Sequence, residues 1–273
     1  MPLLLRHVPP SSGVRWVRDA FRLYGRRPLA LTLMLVAFLC AVTVLALLPW
    51  MLGLPLLMMS PPLLSLGFMV ASQSALLDGP VDARQFLAPL RADPARRRSL
   101  LLLCALYGLC WAGAAWLAYG VGGDAAVALL DMLAGRQPGA EDPARMAAMM
   151  MEPAISTAVS VFNLLMAVLS IPFWHAPALV HWGGQGTGQA LFSSTLALWR
   201  SKGAFAVYAL TWTAIGVPVA MVLSIVLAVL GTGTFGLGVA FAVLLGSWTV
   251  FYVSLLFTFN DSFGGTLADA PAA

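Results

Sequence analysis

Leu29-Ala30-Leu31-Thr32-Leu33-Met34-Leu35-Val36-Ala37-Phe38-Leu39-Cys40-Ala41-Val42-Thr43-Val44-Leu45-Ala46-Leu47-Leu48 runs for twenty residues without a charged side chain. As a helix it would measure about 30 Å, the thickness of a bilayer's hydrocarbon core. Five more stretches of this kind follow, over about 52–77, 100–121, 154–182, 204–230 and 235–260. Trp50, Gly53 and Pro55 mark a tight turn between the first two. Pro172 and Pro177 interrupt the fourth, and Gly231-Thr232-Gly233-Thr234 separates the last two. None holds Lys, Arg, Asp or Glu in its interior, where one charge costs roughly 3 kcal/mol on insertion. A membrane barrel would need short segments of alternating polarity, and these runs are long and uniformly apolar. The expected fold is all-α: a polytopic membrane protein with six transmembrane helices spread over 29–260.

Composition agrees. Of 273 residues 60% are hydrophobic and only 10% charged, against about 25% charged in an average soluble domain. Leu3–Leu5 is too short for the apolar core of a cleavable signal, and Arg6 follows it at once, so the first long run is expected to stay as a helix. The net charge is +4, and its placement sets the expected orientation. Arg6, Arg15, Arg18, Arg22, Arg26 and Arg27 precede the first run. Arg84, Arg91, Arg96, Arg97 and Arg98 lie between the second and third, and Arg200 and Lys202 between the fourth and fifth. Only Arg136 and Arg145 fall on the other side, in a net acidic segment over 122–153. The positive-inside rule then makes residues 1–28 and 261–273 cytoplasmic and 122–153 periplasmic, in a bacterial inner membrane.

Between Val14 and Arg26 the charged residues Arg15, Arg18, Asp19, Arg22 and Arg26 fall on one narrow helical face, with Trp16, Val17, Phe21, Leu23 and Tyr24 on the rest. This predicts a cytoplasmic interfacial amphipathic helix, its arginines turned to water and anionic lipid. The competing reading packs it on the protein's own loops. A weak repeat also stands out: Phe21-Arg22-Leu23-Tyr24-Gly25-Arg26-Arg27-Pro28 before the first span matches Leu196-Ala197-Leu198-Trp199-Arg200-Ser201-Lys202-Gly203 before the fifth. Each is followed by a hairpin of spans, which gives two parallel units flanking a central pair. Chance similarity of short segments is the alternative.

Val8-Pro9, Gly13-Val14-Arg15-Trp16 and Phe21-Arg22-Leu23-Tyr24 with Arg27-Pro28-Leu29 resemble the opening of an uncharacterised family of chiefly betaproteobacterial inner-membrane proteins, the BPSS-type membrane proteins. Pro62-Leu63-Leu64-Ser65-Leu66-Gly67-Phe68 is similar to its second-helix motif, and Phe173-Trp174-His175-Ala176-Pro177-Ala178-Leu179-Val180 to its fourth. Ala190-Leu191-Phe192-Ser193, Trp199-Arg200, Gly203-Ala204-Phe205 and Tyr208 are similar to the start of its fifth helix, and Phe259-Asn260-Asp261-Ser262-Phe263 to its closing motif. Asn260 stands where a basic residue is commoner, and His175 where an aromatic or apolar one is. The resemblance covers nearly the whole chain. It implies the six-span topology and brings no activity with it.

The chemistry-bearing residues are sparse. His175 and His181 point apart on a regular helix and lack a third ligand, so His175 reads as a packing or interfacial residue among Phe173, Trp174 and Trp182. Met146, Met149, Met150 and Met151 could hold a soft ion such as Cu(I), or serve as adaptable filler on an amphipathic helix. Asp261, at the end of the last span, is expected to cap it or to pair with an arginine such as Arg200. Gly238, Ala242 and Gly246, and Cys104, Gly108 and Ala112, recur every four residues and are expected in internal helix packing. No nucleophile–base set, paired carboxylates, phosphate loop or zinc motif occurs, so no catalytic residue, cofactor or metal site is assigned, and nucleic acid is not an expected partner. Arg15, Arg18, Arg22, Arg26, Arg96, Arg97 and Arg98 are candidate contacts for lipid headgroups. Gln73, Asn163 and His175 are candidates for a polar site within the membrane. The expected function is therefore non-enzymatic: a structural, accessory or lipid-interacting protein whose partners are lipids, other membrane proteins or copies of itself. The alternative is a small transporter or lipid-handling protein with a site between the two repeat units.

Overall fold

A computed structural model describes residues 4–91, 93–134, 142–231 and 233–264, with only the backbone of Trp50 and Pro143. Arg136, Glu141 and most of the C-terminal tail lie outside the described residues. Those described form helices α1 (Ser12–Arg26), α2 (Pro28–Ala46), α3 (Trp50–Met59), α4 (Pro61–Leu76), α5 (Pro94–Leu133), α6 (Pro143–Met150), α7 (Pro153–Phe173), α8 (Ala176–His181), α9 (Thr187–Arg200), α10 (Lys202–Leu230) and α11 (Thr234–Phe263), with two short 3-10 turns before α5. They include no strand. Five of the helical spans are long and apolar enough to cross a membrane, and six if the bent pair α3–α4 is one span. The chain divides into two compact units, Met1–Cys104 with Pro172–Ala273, and Ala105–Ile171.

The proline positions explain several helix starts. Pro28, Pro61, Pro94, Pro143 and Pro153 each open a helix, where a missing N–H is harmless and the fixed φ suits the first turn. The turn expected at Trp50, Gly53 and Pro55 lies earlier, at Leu47–Pro49; Leu52 and Gly53 donate back to the Pro49 carbonyl, and Gly53 and Pro55 sit inside α3. The second span is not straight. It bends by 44° between α3 and α4, because Pro61 and Pro62 cannot continue the helical ladder of α3. The fourth apolar run breaks after Phe173, and α8 restarts it with Pro177 in its first turn. Much of 122–153, expected as a loop, is helical: α5 runs to Leu133, interrupted only at Gly123 (φ 52°, ψ −135°), and α6 follows.

In the unit formed by the two ends of the chain, α11 is central. It packs on α1, α4, α2 and α10, while α1 also lies on α10, and α8 packs on α9 and α4. Burial is concentrated at one level. In α2 it is confined to Leu31, Met34 and Leu35, near the start, and in α10 to Ala204 and Tyr208. In α11 it is densest from Thr249 to Phe263. This is the level at which α1 and the arginine-rich segments lie. Helix association gains little from apolar burial within lipid, since the alternative neighbour is equally apolar, whereas near water it gains fully.

Helix α1 departs from the expected lipid-facing arrangement. Trp16, Val17, Ala20 and Leu23 are buried against the protein's own helices, not its loops, while Arg15, Arg18, Arg22 and Arg26 remain exposed. The approach to α10 is close: a Cβ on Gly13 would lie 2.5 Å from the Ala204 carbonyl oxygen and the Tyr208 nitrogen. Helix α9 shows the same inner spacing, with Ala190, Ser194 and Ala197 buried where α1 buries Trp16, Ala20 and Leu23. That is one residue out of register with the pairing of Phe21 and Leu196. The two helices have different partners, so the repeat is one of pattern rather than of packing.

In the unit Ala105–Ile171 the close-packed seam is Ala114, Ala118, Gly122 and Ala126, all buried. A Cβ on Gly122 would lie 3.4 Å from that of Ala158, and Trp111 meets Phe162 edge-on at 5.3 Å. The stripes expected in this role fit it only partly: Ala112, Gly238 and Ala242 are exposed.

Gly13→Val should force α1 off α10 and destabilise the protein by about 1–3 kcal/mol, as overpacking does. Gly25→Ala, whose Cβ meets nothing within 4 Å, should be neutral or slightly stabilising. Thermal unfolding in mild detergent distinguishes the two; equal effects would contradict the close approach.

Candidate functional site

Three polar side chains on one face of α11 reach other parts of the chain. The Ser254 and Tyr208 hydroxyls lie 2.6 Å apart. Thr258 Oγ1 accepts from Trp174 Nε1 at 3.2 Å and donates to the Leu255 carbonyl at 2.8 Å. That donation commits the only hydroxyl proton, so the 3.1 Å contact of His175 Nε2 with Oγ1 requires the proton to sit on Nε2. Asp261 Oδ2 accepts from Trp16 Nε1 at 2.7 Å and from Arg15 Nη2 at 2.5 Å. Asp261 thus pairs with Arg15 and not with Arg200. The ion pair itself is half open to solvent, Arg15 being 48% exposed, and contributes at most about 1 kcal/mol. The Trp16 bond, on a buried indole, fixes the geometry.

Around these bonds lies an aromatic cluster. Trp16 meets Phe205 at 5.2 Å and Tyr208 at 5.9 Å, and Trp174 meets Phe205, Tyr208 and Phe251 edge-on at about 6 Å. His175 is fully buried, walled by Phe205, Phe259 and Phe263, and its backbone N–H donates to Ser194 Oγ. Its Nδ1 has no hydrogen-bond partner among the described residues.

The segment before α1 acts as a strap. The Leu4 and Arg6 amides donate to the Phe263 and Ser262 carbonyls, His7 Nδ1–H donates to the Arg200 carbonyl, and the Val8 amide donates to Ser201 Oγ. The C-terminal carbonyls of α11 and α9, orphaned by helix geometry, are capped by residues from the far end of the chain. Gly264, with φ 65°, ends α11 by returning its N–H to the Asn260 carbonyl.

The remaining candidates fall as follows. Gln73 is half-buried on α4, and Asn163 is exposed on α7 in the other unit. Of the arginines, Arg96 donates to the His181 carbonyl, and Arg18 and Arg22 flank Asp19 at 3.6 and 3.5 Å. Arg27, outside the candidate set, binds the Gly79 carbonyl and Asp78. Arg97 and Arg98 are exposed, have no ion-pair partner among the described residues, and with Pro94, Leu101 and Leu102 line an open groove of about 450 Å³. A second groove, of about 490 Å³, lies along α5 between Tyr119 and Ala134. Neither is lined by Gln73, Asn163 or His175. Sequence reasoning missed Ser254, Thr258 and Tyr208; the spacing Ser254, Thr258, Asp261 on an otherwise apolar helix was the available signal.

Long apolar helices, a charged end and no strand among the described residues define an all-α polytopic membrane protein. A probable inner membrane protein of Burkholderia thailandensis is 30% identical over 269 residues, 98% of this chain and 96% of its own length. The chain belongs to the family of that inner-membrane protein. No family model and no solved structure matches it.

Thr258→Val should leave Trp174 Nε1–H and His175 Nε2–H without an acceptor, each worth about 1–3 kcal/mol when buried. Thr258→Ser keeps the hydroxyl and should lose less than half as much. Denaturant unfolding followed by tryptophan fluorescence measures both; equal losses would show that the methyl group, not the hydroxyl, matters.

Proposed function

We propose that this protein is a non-enzymatic accessory component of the inner membrane that engages anionic lipid headgroups through its basic end. One observation carries the reading. Arg97 and Arg98, without an ion-pair partner among the described residues, line an open groove with exposed Leu101 and Leu102 at the start of a membrane-length helix. Two guanidiniums over apolar side chains suit a phosphodiester headgroup and the top of its acyl chains, because guanidinium donors match phosphate oxygens and the leucines meet hydrocarbon. Arg15 and Arg96 are engaged within the protein, and Arg18 and Arg22 share Asp19, so they are weaker candidates. Helix α1 is held rigidly by Asp261 and the aromatic cluster, which suits a scaffold more than a mobile lid. By the positive-inside rule this basic end, with both termini, is cytoplasmic.

Native mass spectrometry of the purified protein should find phosphatidylglycerol or cardiolipin bound. R97Q/R98Q should weaken that binding by roughly 30-fold, at about 1 kcal/mol per arginine, while neutral lipid is unaffected. Unchanged anionic lipid retention in the double variant would sink the reading. For orientation, a C-terminal fluorescent-protein fusion should be bright and a C-terminal alkaline phosphatase fusion inactive; the reverse would place the termini in the periplasm.

A further inference from the structure

Helix α9 has an outer face unlike that of α1. Opposite its buried Ala190, Ser194 and Ala197 it exposes Phe192 (69%), Leu196 and Trp199 (72%), spaced i, i+4, i+7 along one stripe. The outer face of α1, by contrast, is dominated by Arg15, Arg18, Arg22 and Arg26. In water such a stripe on α9 would be an aggregation liability. Both ends of α9 are tied to the starts of membrane-length helices. At one end Thr187 Oγ1 donates to the Ser99 carbonyl, in the second turn of α5. At the other, Arg200 leads through Ser201 directly into α10 at Lys202. The two starts are the basic ends of these helices, so both ends of α9 are held near the level of the membrane surface. Two cations, Arg200 and Lys202, close the stripe, and Lys202 Nζ lies 5.4 Å from the Trp199 ring centre.

We propose that α9, not α1, is the in-plane interfacial helix of this protein: it lies at the boundary between headgroups and acyl chains, with Phe192, Leu196 and Trp199 inserted in the hydrocarbon. The occupant of the exposed stripe is lipid. Its large apolar side chains suit acyl chains, and its terminal cations suit the negative surface of the bilayer. Trp199 takes the position that tryptophan prefers at membrane interfaces, ring toward the chains and edge toward the headgroups. The consequence differs from that of the arginine groove, because insertion here requires no particular headgroup and should survive in neutral lipid.

The test is depth. With Cys40, Cys104 and Cys110 replaced by alanine, nitroxide labels at F192C and L196C are placed in phosphatidylcholine and in phosphatidylglycerol-rich proteoliposomes, with R18C on α1 as reference. Both α9 labels should be open to oxygen and closed to a water-soluble nickel chelate, at about 5–10 Å below the phosphates; R18C should be open to nickel. Nickel access at Phe192 and Leu196 would overturn the proposal by placing the stripe in water. Protection from both reagents would overturn it by placing another protein or a second copy there. Should the cysteine-free protein not fold, the native chain serves: the emission removed by W199F should be quenched several-fold more by lipid brominated high on the acyl chain than by aqueous iodide. Stronger iodide quenching refutes the insertion. Loss of lipid selectivity in R97Q/R98Q with α9 still inserted would separate the two readings.

Discussion

Along one face of α11, Ser254, Thr258 and Asp261 tie three separate parts of the chain to a single helix: α10 through Tyr208, the break between α7 and α8 through Trp174 and His175, and α1 through Trp16 and Arg15. The bonds from Trp16, His175 and Tyr208 satisfy polar groups on buried residues, and a buried unpaired donor is more damaging than a surface one. The aromatic rings fill the space between these bonds, so the polar contacts fix the directions and the rings fix the distances. The strap over residues 4–8 and the burial of α1 both require α11 to end where it does, two residues beyond Asp261.

The concentration of packing at this level follows from the solvent. Near the headgroups water is present, and removing Trp16, Val17 and Leu23 from it stabilises the folded state in the ordinary way. Further along α10 no residue after Tyr208 is buried, because lipid already satisfies an apolar side chain and helix contact adds only dispersion and close backbone approach. Within the unit Ala105–Ile171 the helices use that second means: Ala114, Ala118, Gly122 and Ala126 line the seam.

The all-α class was legible in the sequence, because apolar length is a local signal, and prolines mark several helix starts. The run after Leu29 reads as a span in isolation, and Pro172 and Pro177 announce the break at Trp174–His175. The bend at Pro61 was equally local and was overlooked, since hydropathy averages over it. What could not be read were pairings over long separations. Asp261 had several arginines to choose from, and only the fold selects Arg15, 246 residues away. The amphipathic pattern of α1 was correctly seen, but a pattern does not say whether its apolar face meets lipid or protein. Close approach of Gly13 to Ala204 settles that for α1, whereas the small inner residues of α9 leave its large ones outside.

The strap has a bearing on biogenesis. The residues that cap α11 leave the ribosome well before the carbonyls they cap. At about 5–20 residues per second, the 246 residues from Arg15 to Asp261 take roughly 12–50 s to synthesise. Until α10 and α11 are made, the apolar face of α1 lacks the helices that bury it. The native packing of α1 can therefore form only after both α10 and α11 have been made, so a segment synthesised before them waits for both.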